Sequence, residues 1–131
     1  MKKYGILHQG ISTLIASMGH TDTLVVADAG LPISEMVWRL DLALTEGVPS
    51  FLQTVQVILQ ELEVQEAIIA EEMLTKSPKL FQQLRELLGD IPISQVPHEE
   101  LKERTQEAKG IVRTGEFTPY ANVILVAGVV F

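Results

Sequence analysis

The sequence predicts an α/β fold, a single domain of three layers in which helices cover both faces of a largely parallel or mixed sheet. Short apolar runs rich in Val, Ile and Leu alternate along the chain with segments whose apolar residues recur at helical spacing. The 131 residues suffice for one hydrophobic core, and no repeat, low-complexity run or linker divides them. We therefore expect residues 1–131 to form one domain.

The first half of the chain predicts a helix, two strands and a second helix. Apolar residues of segment 10–19 share one helical face, and Gly19 suits the position just past a helix end. Residues 23–27 are β-rich and run into turn-forming residues at 28–32. Residues 37–42 alternate between apolar and polar, as a half-buried strand does. Ser50 and Gln53 match a capping box, which predicts a helix over about 51–62.

The second half continues the alternation. Residues 64–70 predict a strand, and Pro78 and Gly89 suit the start and the end of a helix. A short strand over 91–96 precedes a helix over 98–109, whose acidic first turn and basic end suit the helix dipole. After 110–113 and a loop, the nearly unbroken apolar run 122–131 predicts a strand buried on both faces.

Composition excludes several classes of function. The net charge of -7 argues against nucleic acid as a partner, because phosphate backbones are bound by clusters of Lys and Arg. No cysteine is present for a disulfide, a thiolate zinc site or a cysteine nucleophile. No apolar run reaches the roughly 20 residues of a membrane span, and the N-terminus lacks the long apolar core of a signal peptide. We expect a cytoplasmic protein without a membrane span.

Two polar residues near the start of the chain are candidates for chemistry. His20 is expected directly after a helix C-terminus, whose partial negative charge would stabilise the imidazolium that a proton donor needs. A capping histidine explains the same position. Asp28 follows a predicted strand, where ligands of α/β sheets tend to bind, although an Asp that caps the turn before Gly30 fits equally well. His8 has no polar constellation near it, so we expect a structural or solvated role for it.

The second half adds two further candidate groups. His98 and Lys102 are four residues apart on one predicted helix and could converge on one ligand, but a solvated polar face is the simpler interpretation. That helix lacks the second histidine of a zinc motif, so no metal site is predicted. Segment 114–122 is dense in hydroxyl, carboxylate, phenol and amide groups. Tyr120 and Asn122 suit a polyhydroxylated ring, and an ordinary turn around Pro119 is the alternative.

Three separated segments carry a resemblance to a known family. They are 19–23 (Gly-His-Thr-Asp-Thr), 27–32 (Ala-Asp-Ala-Gly-Leu-Pro) and 113–122 (Arg-Thr-Gly-Glu-Phe-Thr-Pro-Tyr-Ala-Asn). In these segments, and along its whole length, the sequence resembles the D-ribose pyranase family, which belongs with the L-fucose mutarotases. The resemblance implies an enzyme that interconverts the β-pyranose and furanose forms of D-ribose and exchanges its anomers, with no cofactor.

The resemblance also implies roles for individual residues. It makes His20 the catalytic residue, which we expect to protonate the ring oxygen, while Asp28 would orient the sugar hydroxyls or His20 itself. The other implied substrate contacts are His98, Tyr120, Ala121 and Asn122, with Lys102 as a weaker candidate. It further implies a ring-shaped homo-oligomer, usually a decamer of two pentamers, in which tail residues complete a neighbour's site.

Two other functions remain open at this point. The same acid and base act on any cyclic hemiacetal, so a mutarotase for another free sugar such as L-fucose is the nearest alternative. A non-catalytic sugar-binding partner of a transporter or kinase would use the same polar residues only to hold its ligand.

Overall fold

The computed structural model describes residues 1–131 as one α/β domain. Its five helices and six strands follow one another along the chain as α1 (Gln9–Ser17), β1 (Thr23–Ala27), β2 (Arg39–Asp41), α2 (Phe51–Leu59), β3 (Val64–Ala70), α3 (Glu72–Lys76), α4 (Pro78–Leu88), β4 (Ile93–Val96), α5 (His98–Thr105), β5 (Gly110–Arg113) and β6 (Val123–Ala127). None of these helices combines the length and the apolar character that crossing a bilayer requires.

The six strands form one mixed sheet in the order β2-β5-β1-β6-β3-β4. Strand β6 is antiparallel to both of its neighbours, and the other pairings are all parallel. Five strands therefore end at the same edge of the sheet, where β6 begins. We call this the carboxyl edge and the opposite one the amino edge. The predicted sheet, largely parallel or mixed, is confirmed.

Side chains alternate between the two faces of the sheet and build a core on each. In β1, Leu24 and Val26 join the larger core with buried residues of α1, α2 and α4, whereas Val25 and Ala27 join the smaller core with Leu101 of α5. Helices thus pack on both sides, because every central strand is apolar on both faces. The predicted three-layer α/β/α architecture is confirmed.

Most differences from the predictions concern the ends of elements. Helix α1 ends at Ser17, α5 ends at Thr105 and β2 is only three residues long. Helix α3 was not predicted, since it is one turn long and follows β3 directly. The predicted buried strand through residue 131 is wrong beyond Ala127, because residues 128–131 leave the sheet and Phe131 is 99% exposed.

Candidate active site

Asp28 and Asn122 bind each other at the centre of the carboxyl edge. The Asp28 N–H donates to Asn122 Oδ1 at 2.9 Å, and Asn122 Nδ2 donates to Asp28 Oδ2 at 2.8 Å. The other carboxylate oxygen accepts the Gly30 N–H at 2.9 Å. Asn122 is 0% exposed, so its amide is held inside the protein and its direct partner is Asp28. The pair exists because β1 ends where the neighbouring antiparallel β6 begins.

Tyr120 and His98 extend this pair along the same edge. Their ring centroids are 5.0 Å apart at an interplanar angle of 86°, an edge-to-face contact. Tyr120 has φ of +63°, a left-handed conformation that is costly for a bulky side chain and is found where the surrounding structure enforces it. We call the following residues the carboxyl-edge cluster: Asp28, His98, Tyr120, Ala121 and Asn122. Four of them have polar side chains, and Ala121 has its methyl group buried.

The backbone N–H of His98 is bound by Glu72, a residue that sequence reasoning missed. Both carboxylate oxygens of Glu72 accept the His98 N–H, at 3.0 and 3.1 Å, and so tie α3 to the start of α5. The His98 Nδ1 atom is buried and has no hydrogen-bond partner in the chain. Such an atom pays a desolvation cost that a ligand hydroxyl could recover.

Lys102, one turn further along α5, is occupied by an ion pair. Its Nζ lies 2.7 Å from Glu99 Oε1. The hydrogen bond and the charge of Lys102 lower the pKa of the Glu99 carboxyl below its ordinary value. Glu99 is on the surface, so solvent weakens this pair. Within the single chain, Lys102 would have to leave Glu99 before it could contact the same ligand as His98.

The loop before Tyr120 is braced at both ends. Glu116 Oε1 accepts the Phe51 N–H at the start of α2, at 3.0 Å, and Oε2 accepts the Thr118 hydroxyl at 2.8 Å. The buried Ser77 hydroxyl donates to the Pro119 carbonyl at 2.7 Å. The bonds from Phe51 and Ser77 join the loop to segments that are far apart from it in sequence, and the bond between Glu116 and Thr118 lies within the loop. The fold and the loop's own residues therefore fix its conformation together.

A polar cavity of about 420 Å³ opens beside Asp28 and is lined by Arg113, Glu116, Phe117 and Thr118 among others. Arg113 forms one wall, with Nε donating to the Ala29 carbonyl at 3.0 Å and Nη1 donating to both Asp41 oxygens at 3.1 Å. The volume suits a small polar ligand. Sequence reasoning missed Arg113 as an individual residue, because its partners lie at the ends of two other strands: Asp41 is the last residue of β2, and Ala29 follows β1.

His20 lies at the opposite, amino edge of the sheet. It occupies a turn in which the Asp22 N–H donates to the Gly19 carbonyl at 3.1 Å, after α1 has ended at Ser17. The prediction that His20 directly follows the helix end is therefore wrong, since Met18 is the C-cap of α1 and Gly19 lies between it and His20. Its Nε2 is 2.9 Å from Gln65 Oε1. Strand β1 alone separates His20 from Asp28 by roughly 17 Å. The expectation that Asp28 orients His20 therefore fails within one chain.

The remaining histidine has a structural role, as predicted. His8 caps α1, with Nδ1 accepting the Ile11 N–H at 3.2 Å. No group of three or more His, Asp or Glu side chains is arranged to hold a metal ion.

The chain has a single mixed sheet with a polar cluster and a cavity at its carboxyl edge. It is therefore one of the small α/β proteins, in which ligands tend to bind at the carboxyl ends of the strands. Within that class, the chain belongs to the RbsD / FucU transport protein family, whose sequence model matches residues 1–130.

Relatives and solved structures match over the full length. A D-ribose pyranase of Coprothermobacter proteolyticus is 57% identical over 131 residues, 100% of both chains. One of Geobacillus thermodenitrificans is 50% identical over 100% of this chain and 99% of its own. Bacillus subtilis RbsD, solved in complex with D-ribose, superposes with a TM-score of 0.97 at 44% identity over 100% of both chains. A fucose mutarotase from Streptococcus pneumoniae in complex with L-fucose, at 24% identity and a TM-score of 0.84 over 99% of this chain and 100% of its own, shares the fold.

Proposed function

We propose that this protein is a D-ribose pyranase, an isomerase that interconverts the β-pyranose and furanose forms of D-ribose and exchanges its anomers without a cofactor. The observation that carries the proposal is identity of 57% over the full length to a D-ribose pyranase. The ribose complex of a structure with a TM-score of 0.97 supports the choice of sugar.

The chemistry requires one proton to leave the anomeric hydroxyl and one to reach the ring oxygen as the ring C–O bond breaks; closure reverses both transfers. In the proposal His20 protonates the ring oxygen, and the anomeric proton passes to water or a neighbouring polar group. Acid or base help of this kind contributes on the order of 100-fold to 10,000-fold, which is enough for a reaction that already proceeds in water.

The carboxyl-edge cluster binds the sugar in this proposal. Asp28 keeps lone pairs free beyond those used by Gly30 and Asn122, and a carboxylate accepts hydroxyl protons well. His98 Nδ1 is buried without a partner in the chain, so a sugar hydroxyl would satisfy it. Tyr120 offers a flat face to the ring.

Three further residues complete the proposed binding site. Ala121 can offer only its backbone, because its methyl group is buried. Asn122 acts mainly by holding Asp28. Lys102 would contact the sugar only by leaving Glu99.

The active site is proposed to lie between two chains of a homo-oligomer, a decamer of two pentamers. His20 and the carboxyl-edge cluster are separated by the length of β1, roughly 17 Å, which a monosaccharide does not bridge. A second copy that brings its amino edge to this carboxyl edge would unite them. The apolar tail leaves the amino edge close to His20, and Val130 and Phe131 are exposed. Exposed apolar side chains of this kind favour contact with another chain.

A cytoplasmic location, expected from the sequence, remains part of the proposal; fractionation of the native host tests it. The function is tested by saturation-transfer NMR on equilibrated D-ribose, which reads pyranose-furanose exchange directly. Wild-type protein should accelerate the exchange and His20→Ala should not. Exchange at the spontaneous rate in the presence of wild-type protein would refute the enzyme, and acceleration of L-fucose exchange alone would change the sugar.

A further inference from the structure

Gln65 is the one side chain that binds the His20 ring within the chain. Its Oε1 lies 2.9 Å from His20 Nε2, across 45 residues of sequence. A carbonyl oxygen can only accept, so the contact requires a proton on Nε2. The other ring nitrogen, Nδ1, has no hydrogen-bond partner within the chain and is the atom left to exchange a proton.

An irregularity in the sheet aims Gln65 at His20. The register of β3 against β6 shifts between Val64 and Glu66, so Gln65 is the extra residue of a β-bulge. Bulges of this kind redirect a side chain and occur next to active sites. Gly128 lies against the bulge, where a Cβ atom would approach the Gln65 Cβ to 3.2 Å. Glycine thus leaves the bulged strand room to hold Gln65 in place.

The backbone of the turn that carries His20 is also held in place by hydrogen bonds. Thr21 has φ of +70°, and besides Tyr120 it is the only non-glycine residue of the chain with a positive φ. Its N–H donates to the Ala127 carbonyl at 2.9 Å, and the Ala127 N–H donates to the Asp22 carbonyl at 2.8 Å. Strained backbone persists where the fold enforces it and is concentrated at functional sites. Both partners of the His20–Gln65 contact therefore sit on backbone bound to the end of β6.

We propose that Gln65 is a positioning residue for proton transfer: it holds the Nε2 proton of His20 and so dedicates Nδ1 to the sugar ring oxygen. This inference rests on the function proposed above. The proton on Nδ1 moves to the ring oxygen as the ring C–O bond breaks, and Nδ1 recovers a proton on closure. Throughout, the Nε2 proton stays with Gln65, so the ring keeps one orientation through the cycle.

Charged groups around the contact are few and mostly engaged. Asp22 Oδ2 accepts the Gly19 N–H at 2.8 Å, and its other oxygen is 3.8 Å from Lys109 Nζ. Glu63 borders Gly128 beside Gln65, with its Cγ 3.5 Å from where a Gly128 Cβ would stand, and Glu66 accepts the Ser94 hydroxyl. A carboxylate introduced at position 65 would place a negative charge where Gln65 Oε1 now lies, 2.9 Å from His20 Nε2.

Two substitutions at this position separate positioning from structure. Gln65→Leu removes the acceptor, and Gln65→Glu keeps an acceptor but adds a negative charge that favours the imidazolium. Gln82→Glu, on an exposed position of α4, is the matched control for charge. Exchange of D-ribose is measured by saturation-transfer NMR from pH 5 to pH 9 for wild type, these three variants, His20→Ala and the double variant His20→Ala/Gln65→Leu.

The proposal predicts a distinct result for each variant. Gln65→Leu should lower kcat about tenfold with KM within about twofold of wild type, the size expected for one orienting hydrogen bond. Gln65→Glu should retain kcat at its optimum, with the pH–rate profile moved upward by about one unit. Gln82→Glu should leave both unchanged, and Gln65→Leu should add no loss to His20→Ala.

Contrary outcomes are distinguishable from failure of the function. If wild-type protein accelerates exchange but Gln65→Leu keeps kcat within about twofold, the positioning role is refuted. It is equally refuted if the profile of Gln65→Glu does not move, or if Gln65→Leu costs as much without His20 as with it. If wild-type protein does not accelerate exchange, the proposed function itself fails and this inference falls with it.

Discussion

Replacement of Asn122 by alanine should damage stability and activity together, because one buried side chain supports Asp28. The substitution removes the acceptor of the Asp28 N–H at 2.9 Å and the donor to its carboxylate at 2.8 Å. Since Asn122 is 0% exposed, water does not readily replace either bond. The Asp28 carboxylate then keeps only its bond from the Gly30 N–H at 2.9 Å and can rotate about it, away from the position that the sugar needs.

The size of each effect follows from these contacts. A neutral hydrogen bond contributes about 1 kcal/mol and one to a carboxylate about 1.5 kcal/mol, so the free energy of unfolding should fall by about 2–3 kcal/mol. For a chain of this length that corresponds to a Tm lower by about 7–11 °C. Misplacement of a binding carboxylate by about 1 Å should lower kcat/KM by about 10-fold to 100-fold.

Calorimetry at fixed protein concentration and ribose exchange by NMR measure the two effects. Thr54→Val is the matched control: Thr54 is buried in α2, and its hydroxyl donates to the Ser50 carbonyl at 2.8 Å. This control should lose about 1 kcal/mol of stability and no activity. An Asn122→Ala protein whose kcat/KM matches that of Thr54→Val would refute the positioning of Asp28 by Asn122.

Three further predictions concern stability, pH and assembly. Burial raises the pKa of Asp41, but the Ala43 N–H and the Arg113 guanidinium outweigh it and lower the pKa overall. Asp41→Asn should therefore cost at most about 1 kcal/mol at pH 6, a difference that disappears as the pH falls below about 4 in urea unfolding. His8→Ala removes the α1 cap and should cost about 1 kcal/mol, seen as a lower Tm. Deletion of residues 129–131 should shift the protein to smaller species in light scattering.

Each of these predictions can fail plainly. A difference between wild type and Asp41→Asn that does not shrink as the pH falls well below 4 would contradict the assignment, because the stabilisation is full above the unfolded pKa and is lost as the pH falls through the lowered folded pKa. An unchanged Tm for His8→Ala would mean that water caps α1 equally well. An unchanged mass after deletion of the tail would place the subunit contacts elsewhere.

The fold was largely predictable from sequence because its central strands are short apolar runs between clear turn signals. Pattern found the positions of five of the six strands, and Pro78 and Gly89 marked the bounds of α4 correctly. The four-residue strand β5 was not predicted, because so short a segment shows no clear alternation. Periodicity does not report pairing, so the antiparallel insertion of β6 between β1 and β3 had to come from the structure. It also could not separate the exposed tail at 128–131 from the apolar strand before it.

The candidate site was only partly predictable, for a different physical reason. Asp28 could be proposed because a strand's carboxyl end is visible in the sequence. Three contacts of the site join residues at least 26 positions apart, and no local sequence pattern encodes such contacts. They are the bonds of Asp28 with Asn122, of Glu72 with His98 and of Gln65 with His20. The resemblance brought His20 and Asp28 into one site, and the structure shows that one chain separates them.

Complementation between two inactive variants tests most directly whether the site is shared between chains. His20→Ala and Asp28→Ala proteins are mixed in equal amounts, dissociated, reassembled and assayed for ribose exchange by NMR. If His20 of one copy acts on sugar bound at the carboxyl-edge cluster of another, random assembly restores both residues at roughly a quarter of the sites. The mixture should then have roughly a quarter of the wild-type exchange activity. A mixture that remains as inactive as each variant alone, beside reassembled wild type that is active, would contradict a site built between two chains.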